Sequence, residues 1–260
     1  MLTWLYVPGD RPERFGKALA SGADTVIVDL EDAVAPARKA YAIEAVTDLL
    51  GSTHEVPVQV RISAFEQLDT LTGLPGLSGV RVPKVETPQA VRAAAVAGVP
   101  VHALIESARG VEAAFEIATV CAPDGSIGLG EADLSADLHV SAEAGLAWPR
   151  SRVVVAARAA GLGPPAMSVY PHVSDLEGLA ASCAVGRGLG LLGRAAIHPR
   201  QLPVIVEAFR PSEPEVEKAE ALLSAFDPDA GTAVLSDGRF VDIAMVAAAR
   251  RTVELAARFV

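Results

Sequence analysis

Three carboxylates follow two consecutive apolar runs of the chain. Glu106 closes the run VPVHALIE, and Glu131 and Asp133 close the run SIGLGEADL. If both runs are parallel strands, their carboxyl ends meet at one edge of a barrel and bring these side chains together. Mg²⁺ prefers oxygen ligands and is commonly held by one or two carboxylates, with water and substrate oxygens completing its shell. The spacing therefore predicts a magnesium-assisted enzyme.

Eight short apolar runs could form the barrel that positions these carboxylates. Most are continuously apolar, and the segments between them are long enough for crossover helices, which is typical of parallel strands covered on both faces. The pattern predicts a (β/α)₈ TIM barrel over residues 1–210, and a chain of 260 residues can hold one such domain. The runs are LTWLYV, ADTVIVDL, VPVQVRI, SGVRVPKV, VPVHALIE, SIGLGEADL, PPAMSVY and LLGRAAIH.

The last part of the chain, residues 211–260, departs from this alternation. A helix is predicted to begin after Ser212, with Glu215 completing a capping box. Asp237-Gly238 lies between two short apolar runs, as in a β-hairpin, and an amphipathic helix is predicted to end the chain. We expect this extension to pack on its own barrel or on that of a neighbouring subunit.

Composition and charge limit the classes of partner. A formal net charge of −10 argues against nucleic acid or an anionic membrane as the main partner. No apolar run approaches the roughly 20 residues of a membrane span, and no secretory signal pattern is present, so a cytoplasmic location is expected. Cys121 and Cys183 are far apart and form no C-x-x-C motif, which argues against a disulfide framework and a structural zinc site.

Two cations stand at predicted strand ends. Arg61 and Lys84 are flanked there by apolar residues, where an unpaired charge would be costly. A desolvated lysine at a barrel strand end could form a Schiff base, as in class I aldolases. The neighbours of Lys84 favour an ion pair with Glu86 or a contact with substrate instead.

Ten short motifs occur in order along nearly the whole chain. They are LYVPGDRPERF, IVDLEDAVAPARK, VRI, VPKVE, ALIESARG, GLGEADLSADL, VYP, EGL, AAIHPRQL and DGRFVD. This ordered set resembles the citrate lyase beta-subunit family of CoA-ester lyases. The resemblance implies a barrel of the pyruvate/phosphoenolpyruvate-utilising type. It also implies a carbon–carbon lyase that splits a malyl-, citramalyl- or citryl-like 3-hydroxyacyl-CoA into an acyl-CoA and a 2-oxo acid.

The resemblance assigns roles to residues at the predicted mouth of the barrel. Glu106 and Asp133 would hold Mg²⁺, and Arg61 would face the oxyanion that develops on the substrate. Glu31 and Asp32 would line the site near the metal and its waters. Asp32 could instead cap the following helix at Pro36 or pair with Arg11 or Arg38.

Asp242 matches an aspartate on the family's C-terminal extension. In the family this residue exchanges a proton with the enolate carbon, often in the site of the adjacent subunit. Asp242 could also serve as the N-cap of the last helix. If it acts across subunits, the protein must be a homo-oligomer, and the resemblance favours a trimer.

Cations near the thioester end could bind phosphates. Arg11, Arg14 and Lys39 are predicted to meet the phosphates of CoA or of an acyl-carrier phosphopantetheine, and Arg11 and Lys84 are also candidates for substrate contact. Solvated helix-face charges are the alternative for Arg14 and Lys39. The chain has neither a P-loop nor a Rossmann glycine motif, so no such nucleotide site is predicted.

The chain departs from the family pattern at a few positions. Ala132 stands where many relatives carry a glutamate, with Glu131 one place earlier. Met167-Ser168 and His139 also differ, which suggests a divergent substrate pocket. Two alternatives therefore stay open: the beta subunit of a citrate lyase complex acting on an acyl-carrier protein, and a non-catalytic CoA-binding scaffold, which Ala132 would favour.

Overall fold

The computed structural model describes residues 1–226, 232–234 and 240–259, with the backbone alone described at 232–234, 240–242 and 244. Contacts divide the chain into two compact units, Met1–Ala208 and Phe209–Val260. Within the described residues, none of the helices combines the length and the apolar character that a bilayer crossing needs.

Seven parallel strands form the sheet of the first unit, all of whose residues are described. They are β1 (Thr3–Pro8), β2 (Thr25–Asp29), β3 (Val58–Arg61), β4 (Leu77–Val82), β5 (Val101–Ile105), β6 (Ser126–Leu129) and β7 (Arg194–Ala196). Their order across the sheet is β6-β5-β4-β3-β2-β1-β7, so β7 returns to pair with β1. The sheet curls into an incomplete barrel with alternating helices, which confirms the predicted (β/α)₈ class.

Helices connect these strands. They are α1 (Phe15–Leu19), α2 (Lys39–Leu50), α3 (Leu68–Leu71), α4 (Pro88–Ala94), α5 (Ala108–Glu112), α6 (Ala114–Cys121), α7 (Glu131–Asp137), α8 (Ala147–Ala159), α9 (Leu176–Gly188) and α10 (Leu202–Phe209). Short 3₁₀ helices lie at Pro12–Arg14, Pro36–Arg38, Phe65–Gln67, Ala95–Ala97, Glu143–Leu146 and Pro199–Gln201. Side-chain caps begin two of the α-helices, with Ser107 accepting from the Gly110 amide and Asp175 from the Gly178 amide. Such caps satisfy amides that the first helical turn leaves without partners.

The expectation of a full strand at PPAMSVY is wrong. The segment is reduced to a single parallel bridge, in which the Met167 amide donates to the Gly193 carbonyl at 3.0 Å and the Ala195 amide donates to the Met167 carbonyl at 3.0 Å. Pro164 and Pro165 have no N–H to contribute to a ladder. The segment occupies the expected place beside β7 without extended pairing.

The expectation that Glu131 and Asp133 end a strand is also wrong. β6 stops at Leu129, and Glu131 is the first residue of α7. Both carboxylates therefore belong to the first turn of a helix, where the helix dipole favours negative charge. The barrel mouth still carries them, because α7 starts two residues after the strand.

The second unit is a helix pair with a two-stranded sheet. It contains α11 (Glu213–Ala225), β8 (Thr232–Val234), β9 (Phe240–Asp242), α12 (Ile243–Ala256) and a 3₁₀ turn at Ala257–Phe259. The predicted capping box is confirmed, since the Ser212 amide donates to the Glu215 carboxylate at 2.8 Å. β8 and β9 pair antiparallel, as a hairpin requires, but the predicted turn at Asp237-Gly238 lies outside the described residues.

Candidate active site

Glu106 is a buried carboxylate at the end of β5. It is 5% exposed, and its Oε2 accepts a hydrogen bond from the Lys84 backbone amide at 3.1 Å. Gly130, which follows β6, leaves room for it, because a Cβ at that position would overlap the Glu106 carboxylate. Glycine at 130 is therefore a steric requirement of this carboxylate.

Burial, together with the nearby negative charges of Glu31 and Asp133, raises the pKa of Glu106 to about 7, against the opposing effects of the Lys84 amide and Arg61. Asp133 is exposed on α7 and forms neither a hydrogen bond nor a salt bridge within the described part of the chain. The negative charges of Glu106 and Asp133 therefore repel each other, and no cation of the described residues lies between them. A bound cation would reduce this repulsion.

These residues suit a magnesium ion. The described residues contain no group of three or more His, Cys, Asp or Glu side chains arranged to hold a metal. Mg²⁺ does not need such a group, since it keeps several waters and is usually bound through one or two carboxylates and substrate oxygens. Glu106 and Asp133 could therefore hold it, with open positions left for a substrate.

Arg61, at the end of β3, is the centre of an ion-pair cluster. Its Nε and Nη2 donate to the two oxygens of Asp29 at 2.7 and 2.6 Å, and its Nη1 lies 2.9 Å from Glu31 Oε2. The guanidinium also lies over the Tyr6 ring, 5.2 Å from its centroid. Burial alone would lower the pKa of Arg61, but the bonds to Asp29 outweigh it and raise the pKa, so the guanidinium is always charged.

The second strand supplies the carboxylates of this cluster. Asp29 binds Arg61 and accepts hydrogen bonds from the Glu31 and Ala33 amides at 2.9 and 3.0 Å. Burial raises the pKa of Glu31, against Arg61 and Lys84, and its Oε2 lacks hydrogen-bond geometry. Asp32 is largely exposed and lies 3.8 Å from Arg61 Nη1. The alternatives of a helix cap or a pair with Arg11 or Arg38 are not observed for Asp32 in this fully described region.

The expectation of a Lys84–Glu86 ion pair is wrong. Lys84 Nζ lies 3.0 Å from Glu31 Oε1, while Glu86 accepts a hydrogen bond from Ser107 Oγ at 2.6 Å. The backbone of Lys84 is left-handed, with φ of 55°, which turns its side chain toward β2. The hydrogen bond with Glu31 raises the pKa of Lys84, which disfavours a Schiff base, since that chemistry needs a neutral amine.

Arg11, Arg14 and Lys39, the three cations expected at the thioester end, differ in how accessible they are to a phosphate. The side chains of Arg11 and Arg14 are 54% and 60% exposed and have only ion pairs of 3.9 Å. Lys39 instead donates to the carbonyls of Leu30 and Glu31 at 2.6 and 2.7 Å, so its ammonium holds the loop after β2. Arg11 and Arg14 are therefore accessible to phosphates, whereas Lys39 would have to leave its carbonyls.

Arg150 on α8 fixes the helix that carries Asp133, a role that the sequence did not suggest. It is 2% exposed, and its Nε and Nη2 donate to both oxygens of Glu131 at 2.7 and 2.8 Å. Its Nη1 donates to Glu143 at 2.8 Å. Glu131 is thus occupied by Arg150 and does not replace the carboxylate absent at Ala132.

A cavity of about 450 Å³ joins these groups. Arg61, Glu106 and Asp133 line it, and it continues into the barrel interior past Tyr6 and Arg81. The polar interior residues were missed from sequence, although polar residues at alternate positions of VQVR and VRV signal an inward-facing row. The side chain of Asp242, which ends β9, lies outside the described residues.

Comparison with known proteins identifies close relatives. The family model described as HpcH/HpaI aldolase/citrate lyase matches residues 2–199. A citrate lyase subunit beta-like protein of Mycobacterium tuberculosis is 38% identical over 254 residues, covering 92% of this chain and 89% of that protein. A (3S)-malyl-CoA thioesterase of Cereibacter sphaeroides is 33% identical over 269 residues, covering 95% and 92%.

A solved structure agrees over the same length. The crystal structure of CitE from Mycobacterium tuberculosis in complex with magnesium, acetoacetate and coenzyme A matches with a TM-score of 0.82 and 32% sequence identity. The match covers 98% of both chains.

Proposed function

The chain belongs to the HpcH/HpaI aldolase/citrate lyase family, and from that membership we propose that it is a Mg²⁺-dependent CoA-ester lyase. Its substrate would be a malyl-, citramalyl- or citryl-like 3-hydroxyacyl-CoA, split into an acyl-CoA and a 2-oxo acid. The observation that carries this proposal is Glu106, a buried carboxylate with a pKa of about 7 that is close enough to Asp133 to feel its charge and has no paired cation among the residues that the structure describes. Such a group is costly unless it serves a ligand.

The reaction needs charge control at two oxygens. The 3-hydroxyl loses its proton as the bond between C2 and C3 breaks, the hydroxyl carbon becomes the carbonyl of the 2-oxo acid, and the released electron pair forms the thioester enolate. Mg²⁺ held by Glu106 and Asp133 would supply a Lewis acid for the oxygens of the oxo-acid fragment. Arg61 contributes a fixed positive charge whose orientation Asp29 and Glu31 maintain, so it needs no reorganisation during the reaction.

The enolate carbon must then take up a proton, for which Asp242 stays the proposed donor. Arg11 and Arg14 are the proposed phosphate contacts of CoA, because both are exposed close to the end of β1. A homo-oligomer, and a trimer in particular, is expected only if Asp242 acts in the site of a neighbouring subunit.

The test is a screen of malyl-CoA, citramalyl-CoA and citryl-CoA with Mg²⁺ or with EDTA, following both the 2-oxo acid and free CoA thiol. A lyase releases oxo acid in step with substrate loss and leaves the thiol blocked. Glu106→Ala should abolish turnover, whereas Glu116→Ala, on the exposed side of α6, should leave it unchanged. Turnover that survives both EDTA and Glu106→Ala contradicts the proposal.

The relatives favour one second candidate, a malyl-CoA thioesterase, because such a protein is 33% identical over 95% of this chain. The same screen separates the two, since hydrolysis of the thioester releases free CoA thiol without producing an oxo acid. If no CoA ester is turned over, citryl-acyl-carrier protein is the next substrate to test, and its failure would favour the scaffold.

A further inference from the structure

Arg81, on β4, is a second buried guanidinium in the barrel interior. It is 8% exposed and lines the cavity, and its Nε donates to Gln59 Oε1 at 2.9 Å. Tyr6 lines the same cavity. Arg81 lies opposite Arg61 in the register of β3 and β4, so two arginines occupy neighbouring positions of one interior layer.

The two arginines differ in how their charge is balanced. Arg61 has Asp29 and Glu31 within 2.9 Å, whereas no carboxylate lies within salt-bridge distance of Arg81 in the described residues. Burial raises the pKa of Tyr6, so its phenol stays neutral and cannot compensate Arg81. A buried charge without a counter-ion is expensive, and binding an anion would relieve it.

His102 on β5 does not balance this charge either. Its side chain contacts Gln59 at 3.0 Å and Ser126 at 2.9 Å. Burial and the nearby charge of Arg81 together lower the pKa of His102 to about 3, so the imidazole is neutral at physiological pH. The interior layer around Arg81 therefore carries net positive charge and neutral hydrogen-bonding groups.

The cavity has space for an anion beside Arg81. Its lining includes three small residues, Gly128, Ala166 and Ala195. A Cβ added at Gly128 would meet only the Ala166 carbonyl, at 3.9 Å. CoA is far too large to enter a cavity of about 450 Å³, so a thioester must lie at the mouth and the other end of the substrate must point inward.

We propose that Arg81 is a specificity-determining residue that binds a second carboxylate, carried by the inward-pointing end of the 2-oxo acid. The proposal rests on the function proposed above. It assigns the oxo acid to the class of 2-oxo dicarboxylic acids, with one carboxylate near Glu106 and Asp133 and the other at Arg81. Mono-carboxylic oxo acids of equal length would leave the guanidinium uncompensated.

Calorimetric titration of the Mg²⁺-loaded protein with matched oxo acids tests this assignment. The pairs are 2-oxoglutarate with 2-oxopentanoate, and oxaloacetate with 2-oxobutanoate, which differ only in a distal carboxylate or methyl group. The diacid of at least one pair should bind about ten- to a hundredfold more tightly, as expected for a charge-assisted hydrogen bond. Arg81→Met should remove this preference while changing the affinity of the mono-acid less than threefold.

A second variant tests the same assignment without replacing Arg81, so the result does not depend on whether Arg81→Met folds. Gly128→Leu narrows the cavity that Arg81 lines and should weaken binding of the diacid at least tenfold, while glyoxylate, which has no distal group, should bind as before. Thermal unfolding of each variant controls for folding. Equal binding of diacid and mono-acid to the natural protein, or equal loss of both in Arg81→Met, overturns the role of Arg81 alone. Failure of every oxo acid to bind with Mg²⁺ overturns the proposed function as well.

Discussion

The two sides of the cavity mouth differ in charge balance. On the side of β2 to β4, Asp29 and Glu31 are neutralised by Arg61 and Lys84 over distances of 2.6 to 3.0 Å. On the side of β5 and β6, Glu106 and the nearby Asp133 have no paired cation among the described residues. The balanced side can act as a rigid frame, and the acidic side could accept a cation that no described residue supplies.

The difference shows that the acidic side lowers the stability of the metal-free fold, whereas the ion pairs of the balanced side do not. Ion pairs on the balanced side satisfy buried charge and hold the loop after β2, so their removal should affect stability and function together. Ionised Glu106 is disfavoured by its surroundings, so its removal should harm function while stabilising the metal-free protein. This contrast gives opposite expectations for substitutions on the two sides.

The largest effect is expected from Glu106→Gln. Loss of this proposed ligand should reduce turnover by about 10³-fold or more, since metal charge stabilisation contributes several kcal/mol. The melting temperature of the metal-free variant at pH 8 should exceed that of the natural protein, because the amide carries no buried charge. The rise in melting temperature caused by Mg²⁺ should vanish, and an unchanged Mg²⁺ effect in thermal unfolding would contradict the assigned site.

Arg61→Ala should be nearly as severe in rate and opposite in stability. Removing a fixed positive charge near a developing oxyanion typically costs about 10²–10³ in rate. Asp29 and Glu31 would also lose their partner, and breaking a buried pair costs about 3–5 kcal/mol of unfolding free energy. Arg109→Ala, a change at a largely exposed arginine of α5, is the matched control for steady-state kinetics and urea unfolding. An unchanged unfolding free energy in Arg61→Ala would show that Arg61 is not needed to neutralise Asp29 and Glu31.

Gly130→Ala tests the acidic side without changing a charge. The new methyl group would overlap the Glu106 carboxylate and force it to move, so Mg²⁺ affinity should fall at least tenfold. Gly163→Ala, where an added Cβ meets nothing within 4 Å, should leave the affinity unchanged. Calorimetric Mg²⁺ titration compares the two, and equal affinities would indicate that Glu106 does not bind the ion.

The pH dependence of Mg²⁺ binding follows from the pKa of Glu106. Because the folded-state pKa is about 7, above the ordinary 4.5, protons compete with Mg²⁺ below pH 7. Affinity should fall up to tenfold per pH unit below 7 and level off above it. By the same linkage, Glu106 stabilises the metal-free fold fully below pH 4.5, and this contribution is lost as the pH rises through 7. A flat affinity between pH 5.5 and 8 would contradict the raised pKa.

Lys84→Met should have the smallest effect. The Lys84 side chain is 60% exposed, so solvent screens its pair with the buried Glu31, and we expect this pair to contribute about 0–1 kcal/mol. Turnover should change only a fewfold, because Arg61 still neutralises Glu31. A loss above about a hundredfold in kcat would assign Lys84 a direct contact with the reacting atoms, and the KM for the CoA ester would show whether binding alone is affected.

The strands and helices could be predicted from the sequence better than the ion pairs within the site. Continuous apolar runs located the seven strands of the first unit, because burial on both faces leaves a clear pattern. The pattern failed where other constraints decided the structure, as at Pro164-Pro165, which cannot extend a ladder, and after Leu129, where an apolar run continues into a helix.

Charge pairing was harder to predict because it depends on side-chain direction. Glu86 is closest to Lys84 along the chain, yet the left-handed backbone turns Lys84 to Glu31. Arg150 reaches Glu131 from 19 residues away, a distance over which spacing gives no signal. The strand-end positions of Glu106 and Arg61 could be predicted, since the topology alone fixes them.

At position 84 the backbone and the side chain have separate roles, since the amide bonds Glu106 and the ammonium pairs with Glu31. The amide donates a hydrogen bond to Glu106, and this bond requires only that the backbone adopts a φ of 55°. Asparagine or glycine accepts that conformation readily, whereas proline and β-branched residues do not. Substitution at position 84 can therefore change the charge of this part of the pocket without displacing the neighbouring carboxylate, so substrate preference can change while the proposed metal ligand stays in place.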